Sequence, residues 1–187
     1  GDVIQINDLS SYNFAKGGIS KYDSLFGFRG VWWGGDSGAT VDTMDYLTIG
    51  TISNASDFGE MTEGEMNGSA TSDGSRGVHG GGAGTVDTIQ YITITTLGNS
   101  TDFHELTQAR AELAATSNGS RAIFSGGGPP EVNTIDYIQI QAGAAAVDFG
   151  DMFTVTRAHG ACSNGSKAFF GGGVSPAGAS DKIDVVN

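Results

Sequence analysis

Three runs of alternating apolar and polar residues recur along this chain: TMDYLTI at 43–49, TIQYITI at 88–94 and TIDYIQI at 134–140. Each is rich in β-branched and aromatic residues and has the two-residue period of a strand packed on a core. A shorter apolar run precedes each one: RGVWWGG at 29–35, RGVHGGG at 76–82 and RAIFSGGG at 121–128, with a fourth copy, KAFFGGG, at 167–173. These predict strands ended by their glycines. Before them come runs of small residues, at 69–72, 113–117 and 160–163, each followed by Asp73-Gly74, Asn118-Gly119 or Asn164-Gly165. Those dipeptides predict two-residue hairpin turns with φ > 0 at both positions. A fourth, shorter strand is expected around Glu60-Met61-Thr62, Glu105-Leu106-Thr107 and Met152-Phe153-Thr154. The apolar period is two throughout and glycine interrupts every window, so no helix is expected.

The matched positions keep one spacing. Tyr46, Tyr91 and Tyr137 lie 45 and 46 residues apart, and so do Phe58, Phe103 and Phe149, and Gly74, Gly119 and Gly165. A period in the mid-forties with all-strand content is the length of a propeller blade. The chain is therefore expected to be a single domain, 1–187, with units at about 29–75, 76–120, 121–166, and 167–187 together with 1–28. The expected fold is all-β, a four-bladed β-propeller of four-stranded antiparallel blades, its N- and C-terminal strands closing one blade. Val3 to Ile6 predicts a short strand, and residues 14–28 resemble the second half of a unit. Closing the ring would remove free sheet edges; the alternative is an open arc completed by another subunit. The small-residue strand is expected innermost, where units crowd together, with Tyr and Phe filling the wedges between units.

Composition narrows the functional classes. Glycine is 31 of 187 residues but proline only 3, at fixed offsets that suit turns, and 16% charge does not match a disordered chain. The net charge is −12 with only 9 Lys and Arg, which cannot supply the basic face that nucleic acid or an anionic membrane surface requires. No apolar run approaches the length of a membrane span, and no secretory leader is evident in the sequence. The lone Cys162 excludes an intrachain disulfide and is expected to be a small buried residue. Neutral Gly, Ser and Thr surface suits packing against neighbours, so a homo-oligomer or a place in a larger assembly is expected.

Candidate chemistry is sparse. The glycine runs lie between strands and lack the lysine of a phosphate loop, so they read as turns. Asp42, Asp57, Asp87, Asp102 and Asp148 recur with the repeat, as turn-capping residues accepting backbone N–H bonds would. No loop has a calcium pattern, and His79, His104 and His159 lack metal-ligand spacing, so no metal or cofactor is expected. His79 replaces Trp32, Phe124 and Phe170 at one strand position and is expected to fill a slot between units. A Ser125, His79 and Asp87 assembly can be drawn, but nothing singles it out, and no enzyme activity is expected.

The departures from the repeat carry the site prediction. The loops at 36–40, 83–85, 129–133 and 174–180 vary, and all connect the second and third strands, so they share one face. Trp32 and Trp33 replace smaller residues beside them. The candidate ligand-binding residues are Trp32, Trp33, Asp36, Glu131 and Asn133: an indole stacks on the C–H face of a sugar while carboxylates and amides take its hydroxyls. Strand alternation sends the two tryptophans to opposite faces, so at most one is expected to be free; the alternative is that both are buried between units.

The order of landmarks resembles the Kelch repeat: glycines ending the second strand (34–35, 80–82, 126–128, 171–173), then a tyrosine (Tyr46, Tyr91, Tyr137), then an aromatic (Phe58, Phe103, Phe149), with Arg110 and Arg157 where that family has an Arg before the next unit. The departures are Phe for the usual Trp, and Gln90 where Asp45 and Asp136 precede the tyrosine. VDTMDYLTI, DFGEMT and AATSNGSRAIFSGGG also resemble tandem Kelch-like repeats in virion appendage proteins of tailed phages. That resemblance implies a non-enzymatic virion surface or tail-appendage protein for host-cell attachment, binding a cell-surface glycan and contacting other virion proteins, with an extracellular location. The alternatives are a decorating or scaffolding module of the particle, or a secreted or cytoplasmic Kelch-type adaptor.

Overall fold

The computed structural model describes residues 28–84 and 86–187. Sixteen strands and no helix lie within them. The first sheet is β1 (Arg29–Asp36), β2 (Thr40–Thr48) and β3 (Ser56–Glu60), in that order. The second is β4 (Ser69–Ser72), β5 (Arg76–Gly80), β6 (Thr88–Thr93) and β7 (Thr101–Glu105). The third repeats it with β8 (Ala114–Ser117), β9 (Arg121–Ser125), β10 (Thr134–Gln139) and β11 (Val147–Asp151). β12 (Gly160–Ser163) and β13 (Ala168–Gly171) open the fourth, a ribbon of β14 (Val174–Ser175) and β15 (Gly178–Ala179) stands apart as the fifth sheet, and β16 (Ile183–Val186) completes the fourth beside β13. All pairings are antiparallel.

The expected propeller is corrected by this topology. Five small antiparallel sheets stand separately, and none is closed or curled into a barrel or propeller. Among the described residues no sheet joins the two ends of the chain: β1 pairs with β2, and β16 with β13. A two-residue period dictates hairpins within a unit. Ring closure depends instead on the angle between sheets, which the period does not encode. The strand expected at Val3 to Ile6, and the closing role given to the N-terminal segment, lie outside the described residues.

Two local expectations are also corrected. The fourth strands lie earlier than expected, because the Asp-Phe segment is itself the strand and carries a bulge. The register slips between Met44 and Asp45, Ile89 and Gln90, and Ile135 and Asp136, at matching positions in the first three sheets. Asp57 and Asp148 accept the amides of Gly59 (3.0 Å) and Gly150 (2.8 Å) there, and both glycines have the positive φ (144° and 135°) that the extra residue needs. The bulge sets Phe58, Phe103 and Phe149 edge-on to Tyr46, Tyr91 and Tyr137, at 5.9, 5.6 and 5.8 Å. In the hairpin turns only the glycine has positive φ: Gly74 (91°), Gly119 (88°) and Gly165 (90°). The preceding Asp73, Asn118 or Asn164 instead uses its side-chain oxygen to accept the amides two and three residues on.

The first four-stranded pattern recurs because consecutive sheets pack on one another. β8 lies against both β4 and β12, an approach that their Ala, Gly, Ser and Thr permit, and Ser117 Oγ donates to Ser72 O at 2.5 Å. Three apolar clusters fill the three gaps. Met44, Phe58 and Met61 meet Ile92 and Ile94; Val78, Ile89 and Phe103 meet Phe124, Ile138 and Ile140; Ile135 and Met152 meet Ala168 and Phe170. Polar links accompany them. Arg29 Nη1 donates to Ile94 O (2.7 Å) and Arg76 Nη1 to Ile140 O (2.8 Å), each guanidinium lying over its own sheet's tyrosine. The amide of Glu112 donates to Asn67 O (2.6 Å) and that of Ala158 to Glu112 O (2.7 Å). Asn67, Glu112 and Ala158 all have φ between 52° and 61°, so one unusual backbone turn is kept and linked from sheet to sheet. Cys162 is exposed, against expectation: it sits on the side of β12 that, among the described residues, no other sheet covers.

Candidate functional site

A cavity of about 330 Å³ opens between the first and second sheets. Val31, Trp33, Ile92 and Ile94 give it an apolar wall. Thr71 and Ser72 of β4, Thr116 and Ser117 of β8, and Ser163 of β12 add hydroxyl-bearing residues. One indole, apolar side walls and several hydroxyls form the mixed surface that an amphipathic, hydroxyl-rich ligand requires.

Alternation along β1 separates the two tryptophans as expected. Trp33 points into the gap between sheets, lines the cavity and stacks on His79 with ring centroids 5.5 Å apart. Trp32 points the other way and is exposed. His79 is buried in its slot, and burial pushes its pKa down to about 4, so the imidazole is neutral. The other candidates are occupied elsewhere. Asp36 is exposed and accepts the Gly38 amide at 2.7 Å. Glu131 accepts from Arg157 Nε at 3.1 Å, and Arg157 also pairs with Glu112. Asn133 Nδ2 donates to Met152 O at 3.1 Å. Among the described residues no hydrogen bond, ion pair or ring contact joins Glu131 or Asn133 to Trp32, Trp33 or Asp36. The hydroxyl strands escaped the sequence reading because their smallness was read as packing alone; the recurrent Thr and Ser at matched positions was the available signal.

Ser125 does find a histidine, but it is His159 rather than His79, with Oγ to Nε2 at 2.9 Å. Ser125 is fully buried, and this hydrogen bond fastens the third sheet to the fourth. No group of three His, Cys, Asp or Glu side chains that could hold a metal occurs among the described residues. Among the described residues no helix is long and apolar enough to cross a membrane.

The expected inter-unit arginine is Arg110. It is buried and holds buried Asp136 of the next sheet at 3.0 Å, while the Thr107 hydroxyl and amide donate to the same carboxylate at 2.6 and 3.1 Å. Arg157 does not repeat this: Thr156 occupies the corresponding buried place, and Arg157 is partly exposed. One sheet earlier, Glu65 replaces Arg110, and neutral Gln90 replaces Asp136. Gln90 Oε1 accepts from the Thr62 amide (2.9 Å) and the Ser100 hydroxyl (2.7 Å), so it keeps the fastening without placing a second carboxylate in the gap.

No family model matches this sequence, and none of the curated proteins matches it.

Proposed function

We propose that this protein is a non-enzymatic attachment module that binds cell-surface carbohydrate and is displayed on a virion surface. The observation that carries the carbohydrate reading is the cavity beside Trp33, where an indole and aliphatic walls face a set of threonine and serine residues. The C–H face of a pyranose packs on an aromatic ring, and its hydroxyls exchange hydrogen bonds with side-chain hydroxyls. The loops after the glycine runs are less suitable, because Glu131 and Asn133 already have partners. Repeat wording such as VDTMDYLTI and DFGEMT supports the virion setting by its resemblance to phage appendage repeats. A decorating or scaffolding role in the particle is the second reading, favoured by the apolar surface at both ends of the stack.

Binding to an array of immobilised bacterial glycans tests the first reading. The wild-type chain should bind a defined subset. Thr71→Val removes one hydroxyl at nearly constant volume and should weaken that binding several-fold with an unchanged melting temperature. Trp32→Ala, at an exposed site, should change stability by no more than about 0.5 kcal/mol and leave binding intact. Failure of the wild-type chain to bind any glycan would reject the carbohydrate reading in favour of the structural one. Loss of binding in Trp32→Ala alone would move the site off the cavity.

A further inference from the structure

Among the described residues, the first and last sheets of the stack each leave uncovered a face that the internal sheets bury against a neighbour. In the gap between the second and third sheets, Phe124 and Ile140 of the third sheet are both 0% exposed. Their counterparts in the first sheet are Trp32 and Ile49. Trp32 stands opposite Asp45 across the β1–β2 pair as Phe124 stands opposite Asp136 across β9–β10, and the amide of Ile49 donates to Phe28 O as that of Ile140 does to Ser120 O. Trp32 is 53% and Ile49 67% exposed. At the other end, Ile183 stands opposite Gly171 as Ile135 stands opposite Ser125, and Val185 opposite Phe169 as Tyr137 opposite Ile123. Ile135 is 1% exposed, whereas Ile183 is 71% and Val185 47% exposed.

One end thus carries the face that packs onto a preceding sheet, and the other carries the face that receives a following sheet. The polar link has its two halves as well. Lys167 holds the place of Arg29 and Arg76 in the last sheet, and Ile49 O that of the acceptors Ile94 O and Ile140 O; among the described residues neither Lys167 Nζ nor Ile49 O has a hydrogen-bond partner. We propose that a second copy of this chain fills this place, with the Trp32–Ile49 face of one copy seated on the Ile183–Val185 face of another. Three internal interfaces built from the same positions show what each face fits, and that complementarity selects another copy over an unrelated partner. Such a contact joins unlike surfaces, so it leaves both outer ends free to add further copies or to close a ring. The net charge of −12 opposes the approach of two copies, so added salt should strengthen the association. The contact uses no residue of the cavity and holds whatever ligand the cavity takes.

Sedimentation velocity across a concentration series tests it with Trp32→Asp, Val185→Asp and an equimolar mixture of the two. Both sites are exposed, so the melting temperature of each variant should match wild type and show that the fold is kept. The wild-type chain should grow in size with concentration, and each variant alone should stay monomeric. The mixture should form a dimer and nothing larger, since the first variant brings an intact Val185 face and the second an intact Trp32 face. A wild-type chain that stays monomeric throughout, variants that still associate, or a mixture that stays monomeric would each overturn the proposal.

Discussion

Glu65 is buried at the junction of the first and second sheets, where its carboxyl packs so closely on Gly82 that a Cβ there would overlap it. Its Oε2 has no hydrogen-bond partner among the described residues. Burial, with the nearby Glu63 charge, raises its pKa from 4.5 to about 7. The folded chain therefore binds this proton more tightly than the unfolded one. The stabilisation is fully present below the unfolded value of 4.5 and is lost as pH rises through about 7. His79 has the opposite sign. Burial lowers its pKa from 6.5 to about 4, so its contribution is present above 6.5 and is lost as pH falls through 4. The two slopes oppose each other where the windows overlap, so the wild-type profile alone conceals both. Comparing melting temperatures of wild type and Glu65→Gln at several pH values isolates the carboxyl: wild type should lose stability relative to the variant on going from about pH 5 to about pH 8. A constant difference across that range would show that Glu65 ionises normally.

Between elements, the Arg110–Asp136 pair joins the β7–β8 connection to β10 of the next sheet, with both side chains out of solvent. Removing one partner leaves a buried charge, so Arg110→Met should cost about 3–5 kcal/mol in denaturant unfolding. Adding Asp136→Asn should recover most of that loss, because an amide oxygen can still accept from Thr107, as Gln90 does from Thr62 and Ser100. A double variant no more stable than Arg110→Met would contradict this account of the pair. The strands flanking these residues were legible in the sequence, because alternation and Asn-Gly or Asp-Gly punctuation act within a few residues. The fourth strand was placed late because the bulge at Asp57-Phe58-Gly59 breaks the alternation that marks a strand. The opposite faces of Trp32 and Trp33 were legible for the same reason that strands were. That Cys162 would be exposed was not, since it depends on whether another sheet follows. Of the site candidates, the sequence named Trp32 and Trp33 together with Asp36, Glu131 and Asn133; alternation along a strand could not show that Glu131 and Asn133 find partners in Arg157 and Met152, on other elements.

The described residues form a row of separate antiparallel sheets held by apolar gaps and by a repeated set of backbone links, and this is where the expected closed ring gives way. Each sheet alone would expose a face that only its neighbour buries. Stability should therefore be shared across the gaps, and the amides that cross them should open only with the sheets themselves. Those amides are Glu112 N to Asn67 O, Ala158 N to Glu112 O and Gly127 N to Thr156 O. Amide hydrogen exchange read residue by residue measures them directly. The amides of Glu112, Gly127 and Ala158 should be protected to the same degree as Tyr91 and Tyr137 in the centres of the second and third sheets. Exchange at the rate of exposed loops at those three amides, with the two tyrosine amides still protected, would show sheets that form without stacking and would contradict the account.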